Sequence, residues 1–271
     1  SNRISGPIPS QLFHQKSLFS LNMGYNSLSG NLSSDVGLLR NLEELVLDGN
    51  LSEGHLPTEL GTLVNLIILG LQFNSFTGAL PSMENLRRLE YLRLQHNNFT
   101  GAIPSWVFDL ENLTELLLGE KIFSWNNSAA HYPKFIMLTT LSLNRCGLKG
   151  KIPTWVSSLS RLQGLDLSDN NLEGELPVSL ALLSIVELSM RNSRLTGSLP
   201  RQFLESSSLY FLDLRDNLLS GELPSNISDT NRPSQLLLNN NNFSGKIPPS
   251  ITSDNATVLN LSGNSLSGGI P

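Results

Sequence analysis

The sequence predicts an α/β-type repeat solenoid, a curved right-handed superhelix with a parallel β-sheet on its concave face and a mostly irregular or 3-10 convex side. Three observations predict it. An asparagine recurs behind a Leu-x-Leu or Leu-x-Met pair at Asn26, Asn50, Asn74, Asn97, Asn170, Asn217, Asn241 and Asn264. A glycine follows four residues later almost every time, and an Ile-Pro or Leu-Pro pair two residues after that. With Asn2, Lys121, Cys146 and Ser193 in the remaining places, these positions make twelve rungs spaced 23 to 25 residues apart. That spacing is the period of short stacked repeat units.

Each part of the unit has a physical reason, taken in chain order. In Leu165-Asp166-Leu167-Ser168 the leucines point one way and the polar residues the other, so one strand face is core and the other is solvent. After the strand the chain turns inside a crowded interior, where backbone N–H and C=O groups need partners. A buried amide supplies both donor and acceptor, and one amide per unit at the same position bonds neighbouring turns. Cys146 suits such a rung as a small buried thiol. The following glycine, present at Gly6, Gly30, Gly54, Gly78, Gly101, Gly150, Gly174, Gly197, Gly221, Gly245 and Gly268, marks positive φ or close packing. The proline two or three residues on ends strand pairing and holds an extended segment. A single unit cannot bury its leucines, whereas a stack of them can.

The resulting pattern, L-x-x-L-x-L-x-x-N-x-L-x-G-x-I-P, resembles the plant-specific class of leucine-rich repeat found in receptor-like kinases, receptor-like proteins and polygalacturonase-inhibiting proteins. The resemblance covers essentially the whole chain. Leu141-Ser142-Leu143-Asn144-Arg145-Cys146-Gly147-Leu148 and Pro153-Thr154-Trp155-Val156 are most similar to receptor-like proteins, in which a cysteine-bearing rung and an Ile-Pro-x-Trp turn are common.

An unbroken repeat through all 271 residues predicts one elongated domain of eleven to twelve repeats. Neither end carries the polar terminal repeat that closes a solenoid, so the segment reads as part of a longer chain with its caps missing. Cys146 is the lone cysteine, and no disulfide framework is expected. The net charge of −5 and the lack of a basic run argue against nucleic acid as a partner. The four histidines fall in four different repeats and no metal, phosphate-loop or nucleophile motif occurs, so neither metal nor cofactor nor enzymatic activity is expected. Carboxylates pair on the strand face at Asp166 and Asp169 and at Asp213 and Asp216, but an open sheet gives no cleft to perturb one of them.

Nine Asn-x-Ser/Thr sequons occur, at Asn31, Asn50, Asn98, Asn112, Asn126, Asn226, Asn242, Asn255 and Asn260. Asn50 is a rung and should be buried. Asn98 and Asn242 stand just after a rung and should face solvent, and they are the foremost glycosylation candidates, followed by Asn31, Asn112, Asn126, Asn226 and Asn255. Together with the resemblance, they place the chain on the extracellular side of the plasma membrane or in the cell wall.

The residues one, two, four and six before each rung should form four columns on the concave face, about 4.8 Å apart from strand to strand. In the N-terminal half these columns present Tyr25, Val46, Ile68, Phe73, Tyr91, Arg93, His96 and Leu117, a cluster suited to recognition. Further on the face turns charged. Arg191 and Arg215, in one column, either grip a carboxylate or sulfate or are neutralised by neighbours such as Asp213. The repeat at 119–137 is irregular, with Lys121 as rung and Trp125 in the glycine place. Ser52 stands where a core leucine is expected and Leu51 beside it, which predicts a one-residue adjustment in that turn.

The resemblance implies an extracellular receptor segment that binds a peptide or protein ligand on the concave face for defence or developmental signalling, with a co-receptor kinase ectodomain as second partner. The alternative is a secreted inhibitor-like binding protein of the cell wall.

Overall fold

The computed structural model describes residues 2–119, 133–225, 233–251 and 256–270. Lys121, Trp125, Asn126, Asn226 and Asn255, and most of the irregular repeat, lie outside them. The chain divides into two compact units, Ser1–Gly147 and Leu148–Pro271. In the first, the Leu-x-Leu segments form short strands at Ser20–Asn22, Glu44–Val46, Ile68–Gly70, Tyr91–Arg93, Glu115–Leu117 and Thr140–Ser142, each parallel to the next. In the second they are Gly164–Asp166, Glu187–Ser189, Phe211–Asp213, Gln235–Leu237 and Val258–Asn260. Register pairs leucine with leucine, from Leu21 to Leu45 to Leu69 to Leu92 to Leu116 to Leu141 in the first unit. All six of these leucines are buried, as alternation requires.

The rung amides do what the interior needs. Each Oδ1 accepts the N–H of the residue two beyond the preceding rung: Leu28 to Asn50 at 3.0 Å, Phe76 to Asn97 at 3.0 Å, Leu148 to Asn170 at 2.9 Å, Leu195 to Asn217 at 3.1 Å. Each Nδ2 donates to carbonyls of its own strand and, in most rungs, to one of the preceding strand; Asn74 reaches Leu47 at 2.9 Å, Asn241 reaches Leu214 at 3.0 Å and Asn264 reaches Leu238 at 3.0 Å. Asn26 accepts from the Ile4 N–H in the same way. The side chain thus bonds successive turns where the backbone alone would be unsatisfied.

A second set of parallel strands, which the alternation pattern did not announce, follows the rungs. They are Ser5–Gly6, Ser27–Asn31, Leu51–His55, Ser75–Gly78 and Asn98–Phe99 in the first unit. In the second unit they are Lys149–Gly150, Asn171–Gly174 and Arg194–Leu195, then Ser220–Glu222, Asn242–Lys246 and Ser265–Ser267. The recurring glycine belongs to these strands or lies just past them, and all eleven have positive φ, between 77° and 97°. Their missing Cβ also has a steric use. At Gly78 it would sit 2.0 Å from the His55 ring, and at Gly54 2.3 Å from the Asn31 amide, so these two glycines each receive a side chain of the preceding repeat.

Several prolines after these strands are extended and lead into a single turn, as at Pro57 (φ −69°, ψ 143°) before the 3-10 helix Thr58–Thr62. Ser33, in a proline place, instead caps its turn by accepting the Asp35 N–H. Two of the turns, Val178–Ala181 and Arg201–Leu204, are α-helical. One expectation fails here. The register runs unbroken through Gly30–Ser52 and Gly54–Phe76, with Ser52 buried and Leu51 exposed, so the turn holds no one-residue adjustment. Ser52 simply occupies the core place with a small side chain, and its N–H bonds Asn74 like that of any neighbour.

Candidate recognition face

The four columns before the rungs lie on the outer face of the short Leu-x-Leu strands and of the segments that join them to the rungs, and their backbone is not uniform. Every described residue immediately before a rung from Tyr25 onward is left-handed, with φ between 50° and 64°. Six of these ten are Gly49, Gly263, Asn192, Asn240, Asp169 and Asp216, the residue types that take this conformation at least cost. The other four are Tyr25, Phe73, His96 and Arg145, for which it costs about 1–2 kcal/mol each.

In the first unit these strained side chains form a row. The Tyr25 ring leans over Gly49, where a Cβ would meet it at 2.7 Å. Phe73 stacks on His96, with centroids 4.1 Å apart and planes at 12°. Tyr25 and Phe73 are 58% and 47% exposed although both are large and apolar. Beside the row runs a polar line. Asp48 is buried and accepts the Gln72 backbone N–H and side-chain Nε2, both at 3.1 Å, and Gln95 Nε2 donates on to Gln72 Oε1. Gly70 makes room for this carboxylate, since a Cβ there would sit 2.8 Å from its oxygen. Burial holds the Asp48 pKa above its ordinary value against the opposing pull of the Gln72 bonds and of Arg93. Arg93 bonds Glu115 at 2.5 Å and lies 5.3 Å from the Tyr91 ring centroid, and the Glu115 bond pushes its pKa further up. Ile68, Tyr91, Arg93, His96 and Leu117 are all half-buried on this face, in the columns where they were expected.

Two candidates are corrected. Val46 is only 8% exposed, because it lies in register between Asn22 and Gly70 with Gly24 close against its methyl. Asp213 is 2% exposed, covered by the Arg215 guanidinium that bonds it at 3.1 Å. Burial raises the Asp213 pKa, opposed by the Arg215 backbone N–H and by the charges of Arg215 and Arg191. Arg191 in turn pairs with Asp169 at 3.3 Å. The two arginines are therefore engaged by aspartates of the same face, and Asn192 to Asp169 and Asn240 to Asp216, at 2.8 and 2.7 Å, extend that self-neutralising network. Among the described residues no group of three or more His, Cys, Asp and Glu side chains is placed to hold a metal.

A second amide ladder was missed. Asn41, Asn65 and Asn112, nine residues before their rungs, each donate Nδ2 to the carbonyl 25 residues earlier, Lys16, Arg40 and Arg87, at 2.9, 3.0 and 2.8 Å. The signal was Asn-Leu at the start of the Leu-x-x-Leu-x-Leu segment in these three repeats, at Asn41-Leu42, Asn65-Leu66 and Asn112-Leu113.

The Leucine Rich Repeat family model matches residues 88–110, 137–159, 161–183, 208–230, 234–253 and 255–271. Receptor-like protein 41 of Arabidopsis thaliana is 32% identical over 171 residues, covering 62% of this chain and 19% of that protein. Among solved structures, the ectodomain of the Arabidopsis receptor kinase HAESA with an extended IDA peptide hormone superimposes with a TM-score of 0.88 at 32% identity, over 100% of this chain and 46% of that one. HAESA in complex with IDA and the co-receptor SERK1 gives a TM-score of 0.79 at 30% identity, over 100% and 49%. The chain thus spans less than half of these ectodomains and about a fifth of the receptor-like protein. In both solved neighbours the match falls on an ectodomain in complex with a peptide hormone. The chain is built of leucine-rich repeats, and its relatives are plant receptor-like proteins and leucine-rich-repeat receptor kinases.

Proposed function

We propose that this chain is the ligand-recognition segment of a plant cell-surface receptor, and that the row Tyr25, Phe73 and His96, with Tyr91 and Arg93 beside it, contacts an extracellular peptide. The strained row is the observation that carries the reading. Where asparagine or glycine would be cheaper, the chain keeps large aromatic side chains exposed, and strain held at a surface is characteristic of ligand contacts. The likeness to ectodomains solved with a peptide hormone, one of them with a co-receptor, supports a peptide ligand and a second ectodomain as partners. In that arrangement the protein binds outside the cell and signalling is done by other parts of the assembly.

The test is the double variant Tyr25→Asn, Phe73→Asn. Relief of about 1–2 kcal/mol of backbone strain per site offsets the lost ring contacts, worth about 0.5–1.5 kcal/mol for a stacked pair. Its unfolding midpoint should match or exceed the wild-type value, while affinity selection from a synthetic peptide library should lose the peptides that the wild type enriches. If the rings only stiffen the sheet, the variant unfolds earlier by more than about 2 kcal/mol and enriches the same peptides.

A further inference from the structure

We propose that Asn98 and Asn242 carry N-linked glycans, and that the fold bars Asn50 from doing so although all three stand in sequons. The modification joins Asn Nδ2 to the anomeric carbon of an oligosaccharide carried on a lipid diphosphate. The C–N bond forms as the C–O bond to diphosphate breaks, and one amide proton leaves. The finished fold must therefore accept an amide with a single N–H and a bulky substituent pointing to solvent.

Six sequons lie among the described residues, and their amides differ. Asn50 is buried, with Nδ2 donating to Met23, Leu47 and Asp48 carbonyls at 3.1, 2.9 and 3.2 Å; a glycan there removes part of a rung. Asn112 is exposed, and its one Nδ2 bond, to the Arg87 carbonyl at 2.8 Å, needs only the single N–H that a glycan leaves. Asn260 is half-buried, and its Oδ1, which the modification leaves in place, accepts both the N–H and the hydroxyl of Ser262, at 3.2 and 2.8 Å. Asn31 is exposed but its amide lies over Gly54, so these three stand between the two groups.

Asn98 and Asn242 differ from all of these. Both are exposed, both directly follow a rung and open a strand of the second sheets, and neither amide makes a hydrogen bond among the described residues. Each is anchored by its successor instead, since Phe99 and Phe243 are buried. Thr100, which completes the first sequon, is exposed, and beyond it a Cβ at Gly101 would find only Ala79, at 3.8 Å. The sugars would stand on the second sheets and not on the segments before the rungs that carry Tyr25 and Phe73, which extends the recognition reading without depending on it.

The experiment secretes the chain from plant or insect cells behind a heterologous signal peptide, so the readout does not depend on where the protein resides in its own tissue. Glycopeptide mass spectrometry, with enzymatic deglycosylation in heavy-oxygen water to mark each occupied site, should find Asn98 and Asn242 modified and Asn50 bare. Asn98→Gln and Asn242→Gln should each remove the mass of one glycan while the secreted yield stays within about twofold. A glycan on Asn50 in secreted protein overturns the proposal, as does a bare amide at Asn98 or Asn242.

Discussion

Replacing Asn217 with leucine tests the ladder most directly, because all four of its bonds are defined. Its Oδ1 accepts the Leu195 N–H at 3.1 Å, and Nδ2 donates to the Met190, Leu214 and Arg215 carbonyls at 2.9, 3.0 and 3.2 Å, in a side chain only 6% exposed. The Arg215 carbonyl also accepts the Asn192 N–H at 3.0 Å and keeps a partner. The Leu214 carbonyl likewise keeps the Asn241 Nδ2 donor at 3.0 Å. Two groups, the Leu195 N–H and the Met190 carbonyl, are left stranded at about 1–3 kcal/mol each, against a gain of about 1.5–3 kcal/mol from burying the leucine. The net loss is about 0.5–3 kcal/mol. Urea denaturation gives the total, and native-state hydrogen exchange at the Leu195 amide shows whether the loss starts at the rung, since the chain holds two compact units that need not unfold together. Asn217→Asp has nearly the same shape but turns a negative oxygen toward the carbonyls, so it should be at least as damaging at neutral pH. A wild-type midpoint with undiminished Leu195 protection in Asn217→Leu would refute the assignment of these amides as the bonds between turns.

The converse substitution is Ser193→Asn. The Ser193 hydroxyl is buried without a hydrogen-bond partner among the described residues, at a place where other repeats carry the amide. Supplying it should raise stability by about 0.5–1.5 kcal/mol in thermal or urea melts, and an unchanged or lower midpoint counts against it. The buried Asp48 makes a pH prediction. Its folded pKa is raised, so between the unfolded value and the folded one the native state holds more protons, and its contribution to stability falls as pH rises through that window. The stability of the wild type relative to Asp48→Asn should therefore improve as pH is lowered from 7 toward 4; parallel profiles would show that Asp48 titrates normally.

Much of the scaffold was legible because it obeys rules local to one repeat. Alternating leucines must be buried, a turning backbone must find partners, and a Cβ-less residue must take the cramped left-handed bend, so Leu165, Asn170 and Gly174 each announced a role that the coordinates bear out. The second sheets escaped notice because residues such as Ser27–Asn31 alternate too briefly to register as strands, and their pairing comes from the stack. Exposure at Val46 and Asp213 was misjudged for the same reason. The column was right, but what covers it, Gly24 against Val46 and Arg215 over Asp213, lies in an adjoining strand or two residues further along the same face.

The left-handed residue before each rung was hidden by its own variety, since no single residue type marks it. Once its backbone is known, that variety becomes informative. Asp169, Asn192, Asp216 and Asn240 are what the bend itself favours, and the bonds from Asn192 to Asp169 and from Asn240 to Asp216 give them a scaffold use as well. Tyr25 and Phe73 are what the bend disfavours, and both stay exposed. Folding alone gives no reason to keep an aromatic ring on a strained backbone in water when asparagine serves the same turn elsewhere in the chain. On the function proposed above, the contrast between the two sets separates residues kept for the fold from residues kept for a partner.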